Sequence, residues 1–488
     1  MHFTNIKKDS KLKASINLII VQFGLYIIPL ITMPYIVRTV GIENYGKYVF
    51  SQSVMGLLAV IVNYGFIQAG VRDISVCQSN KQLNAEYSNI FYSKLFSFLI
   101  AVFLGSLLLF FDKFSSEGTL YLFSFLFLIV ALLDVSFVYQ GIEKLKDYAN
   151  VNLIGNVFIL ASLFLVIKKK DDYIYLPLVF ALPRIAAYLF SMFLLYYRFK
   201  IVLRYINIEG VKDKLSSNSN FFFANIAMIL YTRTTTVLLG LLTNNLYVGY
   251  YALADQLACA YSNLQGQVSA TYQPQVSQAF KINPIDGRAI VRESIQVISI
   301  LAIAGFVFTQ FFAYEILYLL FKENANFCAW ILRILSLNFI SIHISSIFGI
   351  QILLSLHKDR NILRISTYAA LLNVTLGCAL ILCFKHIGAS ISVASIEIMV
   401  LLYYYRKLKD CEIYVIDKRL IQKLLKYLLS LIFVLIALKS LYVFLPVSIF
   451  IKLPAIIILY GLFSLVLLHL FKMVDFKNRK IIIDASNG

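Results

Sequence analysis

Tyr45–Gln52 reads YGKYVFSQ, and Val248–Asp255 reads VGYYALAD. Each places Gly-x-Tyr at the start of an apolar segment, after a short loop that follows another apolar segment. Gly46 and Gly249 lie 203 residues apart. A second echo pairs EKLKDYANVNLIGN (Glu143–Asn156) with LHKDRNILRISTYAALLN (Leu356–Asn373), each with Lys-Asp at a turn and an asparagine inside the next helix. Together the echoes divide most of the chain into two equivalent halves.

The segments between these landmarks are apolar and long. Of the 488 residues, 60% are hydrophobic and 14% charged, and the mean hydropathy is +0.80. Soluble proteins carry about 25% charged residues. The chain is therefore expected to be a polytopic all-α membrane protein. About fourteen spans can be read, roughly 14–37, 46–68, 87–111, 119–140, 149–167, 173–197 and 219–242 in the first seven. The rest run roughly 246–279, 293–320, 326–356, 361–384, 387–405, 420–444 and 449–471. Six spans per half is an even number, so the halves share one orientation and are related by an axis along the membrane normal. The expected organisation is an N-lobe at 1–197, a basic cytoplasmic linker at 198–218, and a C-lobe at 219–405. Residues 406–488 would add a cytoplasmic loop, two extra helices and a tail.

The net charge of +19 would suggest nucleic acid in a soluble chain. Here topology accounts for it. With both termini inside, cytoplasmic segments hold about 29 Lys and Arg and the opposite loops about nine, as the positive-inside rule requires. No nucleic-acid partner is expected. External loops such as DKFSSEG and KKKDD are too short for a catalytic domain. The six cysteines are scattered without metal or redox spacing, so neither metal nor cofactor is expected. The N-terminal MHFTNIKKDSKLK leads into an apolar run without a cleavage pattern, so the first span is expected to remain. The working parts should lie among the helices, at a site between the halves near the midplane.

Charges inside the spans are the candidates for that site. A guanidinium at the centre of a spanning helix costs about 2.5–3.5 kcal/mol on insertion scales, so it needs a reason. Arg233, in MILYTRTTTVLLG (Met228–Gly240), and Arg184, after Pro183, are near the middles of their helices and are expected to line a wet cationic cavity. Arg333 is a further candidate. Lys94, Arg364 and Lys439 lie within about two turns of a helix end, where snorkelling is the simpler reading; Lys94 is kept as a cavity candidate as well. The acids are Asp134, Asp255, Glu315 and Glu397. Asp134 and Glu315 lie near helix ends, where an interfacial place is simplest. Asp134, Asp255, Glu397 and His343 are candidates for ion coupling or structural pairing, with Glu397 the expected resting partner of Arg233. Pro29, Pro34, Pro183 and Pro274 are candidate hinges, since each removes a backbone donor. Deep arginines favour an anionic cargo, because guanidinium matches phosphate oxygens in bidentate fashion.

Five segments then carry a family resemblance. DVSFVYQGIEKLKDYANVNLIGNV (Asp134–Val157) resembles the fourth-to-fifth helix signature of polysaccharide flippases. LYTRTTTVLLGLLTNNLYVGYYALADQL resembles their seventh-to-eighth helix segment. LLFKENANFCAWILRILSLN, FGIQILLSLHKDR and HIGASISVASIE resemble segments of helices nine to twelve. The chain is thus similar to O-antigen or capsule repeat-unit flippases of the Wzx type, over about residues 10–410. The resemblance implies translocation of undecaprenyl-diphosphate-linked oligosaccharide from the cytoplasmic to the periplasmic leaflet of a bacterial inner membrane by alternating access. It also implies downstream partners such as an O-antigen polymerase and chain-length regulator, and coupling to H+ or Na+. Where relatives often have an acid after the seventh-span basic residue, this chain has Thr234–Thr236. The alternatives are an ion-coupled multidrug or metabolite antiporter of the same fold, which central arginines disfavour, and a membrane polymerase or ligase, which would need a large external loop. No enzyme activity is expected.

Overall fold

The computed structural model describes residues 31–322, 325–356, 358–411, 413, 415–444, 447–471, 473–475, 480 and 481. Pro29 lies outside them. Helical residues 31–40 (α1) include Pro34 and end at Gly41, whose φ of 85° is a backbone state that glycine adopts without strain. Then follow α2 (Ile42–Asn63), α3 (Phe66–Ser75), α4 (Asn80–Leu108), the short α5 (Asp112–Ser115), α6 (Gly118–Ser124), α7 (Leu126–Leu133) and α8 (Ser136–Gly141). After these come α9 (Leu145–Val166), a 3-10 turn at Lys170–Tyr175, α10 (Leu176–Phe199), α11 (Ile208–Ser217), α12 (Ser219–Thr232) and α13 (Thr234–Leu242). Next are α14 (Asn245–Ile282), α15 (Pro284–Phe321), α16 (Ala325–Leu335) and α17 (Asn338–Ser346). A π-helix at Ile347–Leu354, α18 (Asp359–Asp410), α19 (Lys418–Phe444) and α20 (Ile449–Leu470) follow. The only strands among the described residues are the two-residue β1 (Val474–Asp475) and β2 (Lys480–Ile481).

Ten helical segments among the described residues are long and apolar enough to cross a membrane. One of them, α18, is two helices. Lys385 leaves helical geometry at φ 52°, ψ −127°, and a Cβ on Gly388 would strike the Leu380 carbonyl. Eight residues of straight helix span about 12 Å, so the chain must reverse there. The expected separate spans at 361–384 and 387–405 match this reversal. α14 is long enough to span but too polar to qualify, because Tyr261–Gln278 alone carries five glutamines.

The chain divides into two compact units. The first takes residues up to Gly240 together with Asn244–Gly249; the second takes Leu241–Thr243 and Tyr250 onward. The seventh segment, α12–α13, which the sequence division puts at the start of the second half, thus packs with the first unit almost to its end. Tyr64, just after α2, stacks on Phe222 of α12 with ring centroids 4.2 Å apart, and Gly240 lies against the Phe50 ring.

Within the first unit the two Gly-x-Tyr echoes meet. A Cβ on Gly46 would collide with the Asn245 carbonyl, and one on Gly249 with the Ile42 carbonyl. Residue 42 is to 245 as 46 is to 249, so the contact is its own mirror under the 203-residue repeat. Such reciprocity is the signature of two-fold packing. Glycine is required at both places because backbone meets backbone.

The basic linker is docked rather than free. Asn84, Ser88 and Tyr92 recur every four residues on one face of α4, and each takes up backbone of the extended segment before α11. Val202 N–H donates to Asn84 Oδ1 (3.1 Å), Arg204 N–H to Ser88 Oγ (2.7 Å), and Tyr92 hydroxyl to the Arg204 carbonyl (2.8 Å). Lys214 of α11 closes the clamp on Asp73 at 2.7 Å and Glu86 at 2.5 Å. Burial would lower the Lys214 pKa, but the two carboxylates more than offset this and hold it above the ordinary lysine value. A raised folded value means this contribution is full below the ordinary lysine pKa and is lost only as pH rises through the folded one. The clamp therefore holds through the physiological range.

In the second unit α19 and α20 pack on α15 around Phe312, Leu431, Leu435, Ile456 and Tyr460. Tyr460 hydroxyl donates to the Ala304 carbonyl at 2.8 Å. The polytopic all-α expectation is met.

Candidate functional site: the charges within the spans

Arg233 occupies a joint. It ends α12 with φ −117° and ψ −15°, and α13 begins at the next residue. Its backbone N–H still donates to the Ile229 carbonyl (2.8 Å), while its side chain is exposed. Thr234 and Thr235 behind it are buried. A broken helix at membrane depth is tolerated where it is buried in protein or lines a wet space. Sequence reading expected one unbroken span here.

Arg184 is also exposed, midway along α10, and its charge acts on the phenols of Tyr48 and Tyr188. Pro183 beside it leaves α10 unbroken. Proline removes the donor for the carbonyl four residues back, that of Val179; Ser162 Oγ of α9 donates to the Ile159 carbonyl at 3.0 Å and lies 3.5 Å from the Val179 oxygen. Pro274 likewise lies inside an unbroken α14, so it does not end the eighth span.

Lys94 corrects an expectation. It does not snorkel: it is 1% exposed. Its Nζ donates to the backbone carbonyl of Asp134 at 2.9 Å and lies 5.8 Å from the Phe137 ring centroid. That carbonyl is free because the chain leaves helical geometry at Asp134 (ψ 110°), between α7 and α8. The Asp134 carboxylate accepts from Ser136 N–H and from Tyr148 hydroxyl, both at 2.8 Å. Asp134 is thus a half-buried joint residue. Lys94 holds that joint, and is not presented to a cargo.

The second unit treats its cations differently. Arg333 donates from Nε to the Gln310 carbonyl (3.1 Å) and lies 5.0 Å from the Trp330 ring. Lys439 pairs with Glu315 and donates to the Phe311 carbonyl at 3.0 Å. Glu315, expected at the interface, is buried. Arg364 is exposed at the start of α18. Glu397 is buried in α18, where its charge acts on Tyr404; Asp255 is half-buried in α14, and His343 is buried in α17. Among the described residues no cluster of three or more His, Cys, Asp or Glu could hold a metal.

Sequence reasoning missed a further cluster. Lys47 pairs with Glu117 at 2.6 Å, and Tyr173 hydroxyl donates to the same carboxylate at 2.7 Å. It ties α2, the α5–α6 turn and the 3-10 turn, and its members are far apart in sequence.

The profile of the polysaccharide biosynthesis protein family matches residues 12–280, more than half of the chain. The chain belongs to that family. The chain is 24% identical over 402 residues to a relative from Escherichia coli (strain K12) provisionally named an O-antigen transporter, covering 81% of this chain and 96% of the relative. A relative of the same name from Shigella dysenteriae is 23% identical over 399 residues, covering 82% and 100%. Among solved structures, the inward closed lipid II flippase MurJ superposes with a TM-score of 0.74 at 16% identity, covering 93% of this chain and 98% of that one. An inward-facing multidrug resistance MATE family transporter gives 0.58 at 15% identity, covering 79% and 94%. These two establish the fold alone. The resemblance to polysaccharide flippases stands.

Proposed function

We propose that this chain is a flippase for undecaprenyl-diphosphate-linked oligosaccharide, moving an O-antigen or capsular repeat unit from the cytoplasmic to the periplasmic leaflet of a bacterial inner membrane. The observation that carries the reading is the pair of exposed guanidinia, Arg184 and Arg233, at membrane depth on the first unit. The curated relatives named as O-antigen transporters support the cargo class. A diphosphate with its sugars cannot cross hydrocarbon unaided, while the polyprenyl tail can stay in lipid. The protein need only shelter the headgroup, hold its phosphates with arginine, and open first to one side and then to the other. Arginine suits this role because its planar fork takes two phosphate oxygens at once. No bond is made or broken.

In this reading residues 1–197 and 219–405 are the repeated halves and both termini are cytoplasmic. Pro34 and Pro183 are points of bending, and a polymerase and chain-length regulator act on the delivered unit.

Complementation tests the proposal. In a strain that lacks its flippase and accumulates lipid-linked repeat units inside, this chain restores surface polysaccharide and the Arg233→Ala variant does not. Full complementation by Arg233→Ala at normal protein level contradicts it, as does efflux of cationic drugs that survives the same change.

A further inference from the structure

In the second unit, α14 runs parallel to the rod made by α17 and the π-helix, and a row of polar contacts fixes their register. The Tyr261 ring meets Phe339 with centroids 4.6 Å apart. The Ser262 carbonyl accepts from the His343 ring. Gln351 Nε2 donates to both the carbonyl and the hydroxyl of Ser269, each at 3.0 Å. Ser277 and Ser355 hydroxyls meet at 2.7 Å. From Tyr261 to Ser277 the row extends about 24 Å at 1.5 Å per residue, most of a hydrocarbon core. Of the glutamines of α14, Gln265 is buried between Ser262 and Ser269 of this seam.

The seam is buried yet not self-satisfied. Gln265 is 2% exposed and neither amide atom has a hydrogen-bond partner. His343 Nε2 and Gln351 Oε1 are buried without partners as well. Buried polar groups are nearly always paired with protein or with ordered water. The set mixes a donor with acceptors and contains no carboxylate, which suits water rather than a metal ion. The π-helix lies alongside, a geometry common at functional sites; its Gly349 is pressed against Tyr404.

We infer that this seam is a hydrated proton site, in which water joins Gln265 and Gln351 to Nε2 of His343 and the proton held there is the one coupled to transport. With Nδ1–H donated to the Ser262 carbonyl, Nε2 presents its lone pair. It takes a proton from a seam water, and the resulting N–H is accepted by water or a glutamine oxygen; release reverses the step. The elements around α17 carry further titratable groups, among them half-buried Asp255 of α14 and Tyr404, which lies against Gly349 of the π-helix. Glu315 of α15 pairs with Lys439, Glu397 of α18 acts on Tyr404, and Arg333 of α16 is bound to Gln310. From α14, His343 meets the Ser262 carbonyl and the Gly266 turn.

The coupling part rests on the transport reading, so the test has two arms. In the first, the full chain is labelled with 15N-histidine in lipid bilayers, and His343 is assigned by the signal lost in His343→Gln. Its Nε2 resonance is expected to move from neutral to protonated as pH falls from neutral, and to exchange with water. Gln265→Leu should weaken that exchange without shifting the other histidines. A resonance that stays neutral and dry overturns the site, and this arm needs no cargo. In the second, translocation is driven by an imposed pH gradient in liposomes. The His343→Gln variant should keep cargo binding but lose the stimulation by the gradient; undiminished stimulation overturns the coupling. A wild type that binds and moves no lipid-linked cargo would instead refute the flippase reading and leave the first arm to decide the site.

Discussion

The deep arginines of the first unit and the paired cations of the second are met in opposite ways. In the first, Arg184 and Arg233 are exposed at the middle of a span and at a helix joint. In the second, Arg333 is stacked on Trp330 and bound to Gln310, and Lys439 is paired with Glu315. Depth alone therefore does not mark a cargo site. A cation whose partners are built into the fold stabilises packing, whereas a cation left exposed at depth needs a partner that comes and goes. In the proposed reading anion handling falls to the first unit.

The contrast can be broken most sharply by comparing arginines. Arg184→Ala and Arg233→Ala should abolish transport in cells at normal protein level, while Arg333→Gln should lower stability and leave transport largely intact. Equal loss of transport for all three would erase the distinction between the units.

A smaller effect is expected at the Lys439–Glu315 pair. Lys439→Met leaves the Glu315 carboxylate buried and uncompensated. It should lower unfolding stability by about 3 kcal/mol, the low end for a buried pair because Lys439 is one-third exposed. Adding Glu315→Leu should restore most of the loss. A thermal melt unchanged by Lys439→Met would mean that the pair contributes nothing.

Smaller again is the glycine crossing. Gly46→Ala and Gly249→Ala each push a methyl into the facing carbonyl, and overpacking of this kind costs about 1–3 kcal/mol. Because the contacts are reciprocal, the two losses should be similar, and the double variant should lose less than their sum. Strictly additive losses would show that the glycines act independently.

Much of this was legible in the sequence, but unevenly. Apolar runs located the spans, and the Gly-x-Tyr echo marked two glycines that each meet backbone of the other's segment. That the echoed glycines pack reciprocally required coordinates, since repetition says what is equivalent and not what touches. The joint at Arg233 was hidden because Thr234–Thr236 and their neighbours are compatible with continuous helix. Pro183 suggested a bend, and the helix stays whole through it. Lys94 was misread because its acceptor is a carbonyl 40 residues away, and Lys439 because Glu315 is 124 residues away. Long-range pairing of single charges leaves no local pattern. The seam on α14 was half visible: its glutamines stand out, while their neighbours on α17 and the π-helix do not.

The central claim is that exposed arginines of the first unit hold the diphosphate of a lipid-linked cargo. Its most direct test is equilibrium binding of a short-chain polyprenyl diphosphate to the purified chain in detergent or nanodiscs. The account predicts binding that weakens with added salt and is lost in the Arg184→Gln/Arg233→Gln variant, with Arg333→Gln close to wild type. Binding that is unchanged in the double variant would contradict it.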